Sequence, residues 1–239
     1  MLIAEVARPG RGAWDGRWTL AALAFLLAWD ASGLDMPLAR LAGGTGFFPW
    51  REHWLLARVL HADARDAAWL VGAWLLAGVW WPTGVLKRLS QAARLEWLGS
   101  VALGLLLVNL LKYASPSSCP WDLAEFGGSA HYVSHWAWTV ADGGPGHCFP
   151  AGHAAAGFAF LGGFFVLREG SPRHAVGCLA AALSVGLVLG VAQQLRGAHF
   201  MSHTLWTAWF CWVAAWGLHV LLKRSRRTVA GILPTHDIP

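Results

Sequence analysis

Two histidine-containing segments carry the residue types best suited to chemistry in this chain. Residues 148–153 read Cys-Phe-Pro-Ala-Gly-His, and residues 196–203 read Arg-Gly-Ala-His-Phe-Met-Ser-His. Each segment lies at the edge of a long apolar run. Imidazole titrates near neutral pH, so a histidine at such an edge can act as an acid, a base or a nucleophile. The pattern therefore predicts chemistry at a membrane surface.

Composition places the chain among integral membrane proteins. Of its 239 residues, 56% are hydrophobic, only 13% are charged, and 17 are Trp. A helix needs roughly 20 residues to cross the hydrocarbon core. We therefore predict an all-α, polytopic membrane protein with one domain (1–239) and six transmembrane helices, near 18–33, 66–82, 97–113, 151–167, 175–195 and 204–222. The first apolar run has no small-residue cleavage pattern after it, so we expect no removable signal peptide.

Basic residues mark one side of the predicted bundle. They precede span one, separate spans two and three and spans four and five, and follow span six. They are Arg8, Arg11, Arg17, Lys87, Arg88, Arg94, Arg168, Arg173, His174, Lys223, Arg224, Arg226 and Arg227. By the positive-inside rule, this side and both termini are cytoplasmic. These clusters account for the net charge of +5, so the charge does not indicate a nucleic-acid partner.

The residues suited to chemistry fall on the opposite, outer side. Lys112 ends the third span, His153 opens the fourth, and residues 196–203 lie between the fifth and sixth. An outer loop (114–150), rich in aromatic residues, is expected to cover this face. Residues 34–65 form a predicted interfacial segment that anchors in the membrane surface. Three distant parts of the chain therefore meet at one face.

With Lys112, these segments resemble the three-part signature of the type 2 phosphatidic acid phosphatase (PAP2) superfamily, in its integral membrane lipid phosphatase branch. That signature reads Lys-x6-Arg-Pro, Pro-Ser-Gly-His and Ser-Arg-x5-His-x3-Asp, and the resemblance covers residues 97–222. It implies removal or transfer of phosphate from a lipid phosphate or pyrophosphate, with neither a metal nor another cofactor. In this resemblance His199 is the nucleophile that becomes phosphorylated, and His153 protonates the leaving group.

The chain departs from that signature at several positions that bear on the chemistry. Ala151 stands where the signature has Ser, His203 where it has Asp, and Cys119 and Gln193 where it has Arg. His203 lies four residues after His199, which is one face of a helix. We therefore expect a neutral His203 to accept a hydrogen bond from the other ring nitrogen of His199, without adding negative charge.

Positive charge for the phosphate must then come from other residues. Lys112 and Arg196 are the remaining cations near the motifs, and the guanidinium offers a planar fork that fits phosphate. Pro150 suits the first turn of a helix, where free N–H groups bind anions. The expected phosphate contacts are Lys112, Arg196, Ala151, Gly152 and Gln193.

Four cysteines separate into two pairs by location. Cys178 and Cys211 lie inside apolar spans and are expected to be inert. Cys119 and Cys148 both lie in the outer loop, which in a bacterium faces an oxidising compartment. A disulfide between them would hold the loop across the site, and the sequence does not show whether the two sulfurs meet.

Two other interpretations of the histidines stay open. His153, His199 and His203 could instead bind a metal or a b-type haem, since His199 and His203 have the i,i+4 spacing of a metal site on a helix. The altered positions also fit a non-catalytic relative that binds a lipid phosphate. The remaining histidines, such as His61 and His135, are predicted to be surface or interfacial residues.

The expected substrates are lipid phosphates of the bacterial inner membrane. Undecaprenyl diphosphate, phosphatidylglycerol phosphate, phosphatidate and lipid A phosphates all present the same group, so the sequence does not choose among them. Because the basic clusters are predicted to be cytoplasmic, the active site is expected to face the periplasm or exterior.

Overall fold

The computed structural model describes residues 11–44 and 46–232. Arg8, His236 and both chain termini lie outside the described residues, as do the side chains of Arg11 and Arg227. Within the described residues the chain is 70% helix and has no strand. The predicted all-α fold class is therefore confirmed.

Helices account for most of the described chain. They are α1 (Arg11–Ser32), α2 (Asp35–Ala42), α3 (Ala64–Ala77), α4 (Gln91–Ala114), α5 (Ala155–Phe158), α6 (Gly162–Leu167), α7 (Pro172–Leu195) and α8 (Met201–Ile232). A π-helix, Leu55–Asp63, leads directly into α3. Short 3-10 helices lie at Gly84–Arg88, Pro120–Asp122, Ala124–Phe126 and Ala159–Leu161.

Three helices are long and apolar enough to cross a membrane: α4, α7 and the part Met201–Arg226 of α8. The pair of α1 and α2, bent by 71°, is a fourth candidate. Helices also occupy Ala64–Ala77 and Ala155–Leu167, where spans were predicted near 66–82 and 151–167, but these helices are shorter. The described residues thus contain three or four candidate spans, which indicates a membrane protein. The count of six spans and their sidedness stay predictions.

Local sequence explains where the long helices begin. Ser90 caps α4, because its hydroxyl accepts a hydrogen bond of 3.2 Å from the Ala93 N–H, a group that the helix itself leaves unpaired. Pro172 is the first residue of α7, where its missing N–H is no loss. Each helix then runs for 24 residues, enough for a hydrocarbon core of about 30 Å.

Small residues set the packing between helices. A Cβ on Gly157 of α5 would overlap the backbone of Gly186 in α7, and a Cβ on Gly190 of α7 would overlap Thr204 in α8. Close approach at glycines is a common way for helices to associate in membranes. It places the end of α7 and the start of α8 beside the segment that precedes α5.

Buried charges tie the helices together at one end of the bundle, called here the inner end. Arg168, just after α6, donates two hydrogen bonds of 2.8 Å from Nη1 to the carboxylate of Asp15 in α1. Glu96 of α4 is 5% exposed and lies 2.6 Å from His219 Nδ1 and 2.9 Å from Arg226 Nη2, both on α8. Several of the predicted basic clusters therefore lie at the same end.

A cap covers the opposite, outer end; it consists of residues 35–44, 46–63 and 115–154. An apolar cluster joins the cap to the turn between α7 and α8: Ala39, Ala42, Phe48, Leu123, Phe126, Ala130 and Phe200. Gly197 in that turn has φ +77°, and a Cβ on it would overlap the ring of Phe48. The segment 34–65, predicted only to anchor in the membrane surface, therefore packs on this turn.

Candidate active site

The turn between α7 and α8 holds His199 in place. Its backbone is fixed by three hydrogen bonds of 2.9 Å: Gly197 N–H to Gln194 O, Ala198 N–H to Gln193 O, and Trp121 N–H of the cap to Gly197 O. His199 follows this turn directly and is 5% exposed. The nucleophile predicted from the sequence is therefore buried beneath the cap.

His199 and His203 face each other through their Nδ1 atoms, which are 3.5 Å apart. His203 lies in the first turn of α8 and is 1% exposed. One ring must donate and the other accept, according to their tautomers. This contact leaves Nε2 as the nitrogen of His199 that can face a substrate.

The segment before α5 differs from its predicted form. Helix α5 begins at Ala155, so Pro150 lies before the helix rather than in its first turn. The Ala151 N–H donates a hydrogen bond of 3.3 Å to the His203 carbonyl, and Ala151 is fully buried. Among the described residues, the amides of Gly152 and His153 have no backbone partner. These amides and that of Ala154, which also has no backbone partner there, are thus available for an anion, and they belong to a turn.

His61, left as an interfacial residue in the sequence analysis, lies in the site. It comes from the π-helix of the cap, and its ring stacks on His153 with centroids 3.6 Å apart and an interplanar angle of 19°. Within the described chain, His61 Nδ1 and His153 Nε2 are buried without a hydrogen-bond partner. No motif connects two histidines so far apart in sequence, so only the fold could reveal this pair.

Two cations lie beside these histidines. The side chain of Lys112, at the end of α4, passes Gly152, where a Cβ would be 3.6 Å from Lys112 Cδ. Arg196 is 8% exposed; its Nε donates to the Arg51 carbonyl at 2.8 Å, and its Nη1 donates to Gln193 Oε1 at 3.3 Å. Part of the guanidinium fork is therefore occupied by the protein, and Nη2 is left for an anion.

Burial and the nearby cations lower the pKa values of the histidines in this site. Burial, followed by the neighbouring charges of His61, Lys112 and Arg196, lowers the pKa of His153 to about 4. Burial also holds the pKa of His199 well below its usual value, with a further contribution from Lys112. Both imidazoles are therefore neutral at pH 7 in the free protein.

Cys119 and Cys148 form a disulfide, with their Cα atoms 5.1 Å apart. The sulfur of Cys148 lies 3.2 Å from the Ala198 carbonyl and 3.5 Å from His199 Nδ1. A disulfide sulfur carries no hydrogen, so these are packing contacts rather than hydrogen bonds. In the described chain, Cys119, Cys148 and His199 are the one group of three close metal-ligand side chains, and the bonded sulfurs leave only His199 free.

A second histidine that the sequence analysis left outside the site, His135, lies behind His203. Its ring stacks on Phe149 with centroids 4.2 Å apart, and it meets the His203 ring edge to face at 5.4 Å. His135 is 6% exposed. The described site therefore contains four neighbouring imidazoles besides that of His61.

The sequence matches the PAP2 superfamily over residues 93–227, more than half of the chain. The chain belongs to the PAP2 superfamily. Members of this superfamily are generally phosphatases, often acting on lipid phosphates. Neither a curated protein nor a solved structure gives a significant match to the chain.

Proposed function

We propose that the protein is an integral membrane phosphatase that removes phosphate from a lipid phosphate or pyrophosphate through a phosphohistidine at His199. The arrangement around this residue carries the proposal. His203 lies at its Nδ1, and Lys112 and His153, from two other parts of the chain, are close enough to lower its pKa. A nucleophile, an acid and a cation in one place are the parts that phosphoryl transfer needs.

In the first proposed step, His199 Nε2 attacks phosphorus and the bond from phosphorus to the leaving oxygen breaks. His153 takes up the proton that the bound phosphate monoanion brings and gives it to that oxygen, so the lipid leaves as an alcohol, or as a monophosphate when the substrate is a pyrophosphate. His203 accepts the hydrogen bond from the His199 Nδ1–H. That bond keeps Nε2 unprotonated and able to attack.

In the second proposed step, water attacks the phosphorus of the phosphohistidine and the P–N bond breaks. His153, now neutral, takes a proton from the water, and inorganic phosphate leaves. An alcohol in place of water would make the reaction a phosphotransfer. The covalent intermediate divides one difficult displacement into two easier ones.

Phosphate binding is assigned to Lys112, to Nη2 of Arg196 and to the amide of Gly152. Gln193 acts indirectly, because its Oε1 accepts from Arg196 Nη1 and thereby orients the guanidinium. Ala151 binds α8 with its own N–H and so contributes packing, not a phosphate contact. Cations and oriented amides neutralise the charge that spreads over the phosphate oxygens during transfer.

Phosphate release from a panel of lipids in detergent tests the function. The panel contains undecaprenyl diphosphate, phosphatidylglycerol phosphate, phosphatidate and a lipid A phosphate. The wild type should release phosphate from at least one of them, and His199→Ala should reduce release by roughly 10³-fold or more. His131→Ala, which changes an exposed histidine of the cap, is the matched control. Full activity of His199→Ala would exclude the phosphohistidine mechanism.

The active site is proposed to face the outside of the bacterial inner membrane, because the basic clusters at the inner end are of the cytoplasmic type. Labelling of Ser129→Cys with a membrane-impermeant thiol reagent tests this, in a background lacking Cys119 and Cys148. Ser129 is exposed on the cap, so labelling should succeed in intact spheroplasts. Labelling only after lysis would place the site, and its substrate, at the cytoplasmic leaflet.

A further inference from the structure

Asp30 is a carboxylate at the end of α1 that belongs to none of the motifs. Its Oδ2 accepts hydrogen bonds from Trp136 Nε1 and Trp206 Nε1, each of 2.9 Å. Its Oδ1 is buried and has no hydrogen-bond partner among the described residues. A buried carboxylate oxygen without a partner is costly. Such an oxygen beside an active site therefore calls for a functional explanation.

His135 lies between Asp30 and the catalytic histidines. Its Nε2 is 3.6 Å from Asp30 Oδ2, and it too lacks a hydrogen-bond partner within the described chain. Stacking on Phe149 fixes its ring, which also contacts the rings of Trp136 and His203. His203 in turn contacts His199. Two imidazoles, His203 and His135, thus lie between the nucleophile and a carboxylate, with an edge-to-face ring contact between them.

We propose that Asp30 is the positioning carboxylate of this site and acts on His199 through His135 and His203. It favours the tautomer of His199 in which Nε2 is free, and it balances the positive charge that develops on the nucleophile. The family signature has an Asp at the position of His203. Here the carboxylate is that of Asp30, and two imidazoles separate it from His199. The inference rests on the proposed function, since it assigns a partner to the same nucleophile.

Asp35, the other carboxylate near His135, is already engaged. Its Oδ1 accepts from the Ser202 N–H at 3.0 Å and from Trp29 Nε1 at 3.1 Å, and its Oδ2 accepts from the Ser202 hydroxyl. Asp35 therefore anchors the first turn of α8. Asp30 is the carboxylate of the two that keeps an unused oxygen.

Burial lowers the pKa of His135, and the charges of Asp30 and Asp35 oppose that shift. A neutral His135 can donate from one nitrogen and accept at the other, as a relay requires. Tyr132 also faces this place: it lines, with His135, Asp30 and Asp35, a pocket of about 20 Å³. That volume is about the size of one water molecule, and the pocket lies at the Asp30 end of this row of residues.

Asp30→Asn tests the inference, because the amide oxygen still accepts from both indoles while the charge is lost. On the lipid that the wild type hydrolyses, kcat should fall about 10- to 100-fold with little change in KM, as for other partners that orient an imidazole from behind. Asp15→Asn is the matched control, since it removes a buried carboxylate from the inner end of the same helix. It should leave kcat unchanged. Wild-type kcat in Asp30→Asn would overturn the inference.

A second background separates positioning from a merely structural role. His203→Asp places a carboxylate directly at His199, so adding Asp30→Asn there should change kcat by about twofold or less. An equal loss in both backgrounds would mean that Asp30 only supports the fold, and the inference would fail.

Histidine ¹⁵N NMR tests the same line without relying on turnover. In the wild type His199 should carry its proton on Nδ1, and Asp30→Asn should shift the population toward Nε2–H. An unchanged tautomer would overturn the inference even in an enzyme that hydrolyses lipids. A shifted tautomer in a protein that releases no phosphate would instead overturn the proposed phosphatase and support the role of Asp30.

Discussion

The two ends of the helical bundle differ in how their charged side chains are paired. At the inner end Asp15 pairs with Arg168, and Glu96 pairs with two basic side chains of α8. At the outer end neither Lys112 nor Arg196 has a carboxylate within 4.0 Å in the described part of the chain. The ion pairs of the inner end hold helices together, whereas Lys112 and Arg196 remain free to bind an anionic ligand.

The histidines show the same contrast. All three of His219, His61 and His153 keep a buried nitrogen without a partner in the described chain. Only His219, at the inner end, has a carboxylate oxygen beside its other nitrogen, at 2.6 Å. Unsatisfied polar atoms and unpaired cations lower stability. In the described chain such atoms also occur at the inner end, on Arg94, Arg168, Trp216 and His219. At the outer end they lie beside cations that have no carboxylate partner in the described chain, which is typical of a site whose ligand supplies the missing contacts.

The largest contrast is expected between two arginines. Arg196→Ala should lower kcat/KM by about 10- to 100-fold, because a charge-assisted contact is worth about 1.5–3 kcal/mol. Arg196→Lys should fall in between, since it keeps the charge and loses the planar fork. Arg168→Ala should instead lower the free energy of unfolding by about 3 kcal/mol, because it leaves Asp15 buried and unpaired, with kcat/KM unchanged. A neutral Arg196→Ala would make Arg196 a cap anchor and leave the phosphate to Lys112.

The pH dependence of turnover should be set at the outer end. Free His153 is neutral above its pKa of about 4, so near neutral pH the proton for the leaving group has to arrive with the substrate. Phosphate monoesters lose that proton near pH 6. We therefore expect kcat/KM to be level from about pH 4.5 to 6 and to fall by about tenfold per unit above pH 6. A profile that rises toward alkaline pH would exclude His153 as the acid.

Removing the ring of His61 that stacks on His153 should raise the pKa of His153. His61→Ala admits water and removes a neighbouring charge, so the pKa of His153 should rise from about 4 toward its ordinary value of roughly 6.5. Histidine NMR titration measures this shift, with His131→Ala as the control. An unmoved pKa of His153 would show that the π-helix of the cap does not control the acid.

The smallest effect is expected where a pair is exposed. Lys223 and Glu169 lie 2.6 Å apart at the inner end, with side chains 42% and 63% exposed. Lys223→Ala should cost less than about 1 kcal/mol of unfolding free energy and leave turnover unchanged, because water screens such pairs. If it destabilised the protein as much as Arg168→Ala in the same thermal unfolding assay, burial would not explain the inner end.

The sequence predicted the motif segments and the helical class because both depend on local pattern. Apolar runs and the spacing of His153 and His199 can be read along the chain. His61 and His135 could not be predicted as site residues, since each meets its partner only through the packing of the cap. The signature gave no hint of Asp30, which precedes the matched residues.

Two details show why local pattern was insufficient. Pro150 suits a helix start in isolation, yet docking of Ala151 on α8 holds this segment in a turn, and α5 begins later. Hydropathy likewise treats residues 151–167 as one more span. In the folded chain this run is shortened and packed against α4, α7 and α8, so apolar character there reflects burial among helices as much as contact with lipid.

The sulfur of Cys148 lies beside the ring of His199. Whether it is bonded to Cys119 depends on the redox state of the compartment that the loop occupies. Thiols stay reduced in the cytosol and are oxidised outside it. A copy inserted in the wrong orientation, or one whose loop has not yet crossed the membrane, would keep two free thiols and an untied cap. In the proposed orientation the disulfide would therefore form only after the loop has crossed the membrane, and only then would the segment beside His199 be covalently tied to the rest of the cap.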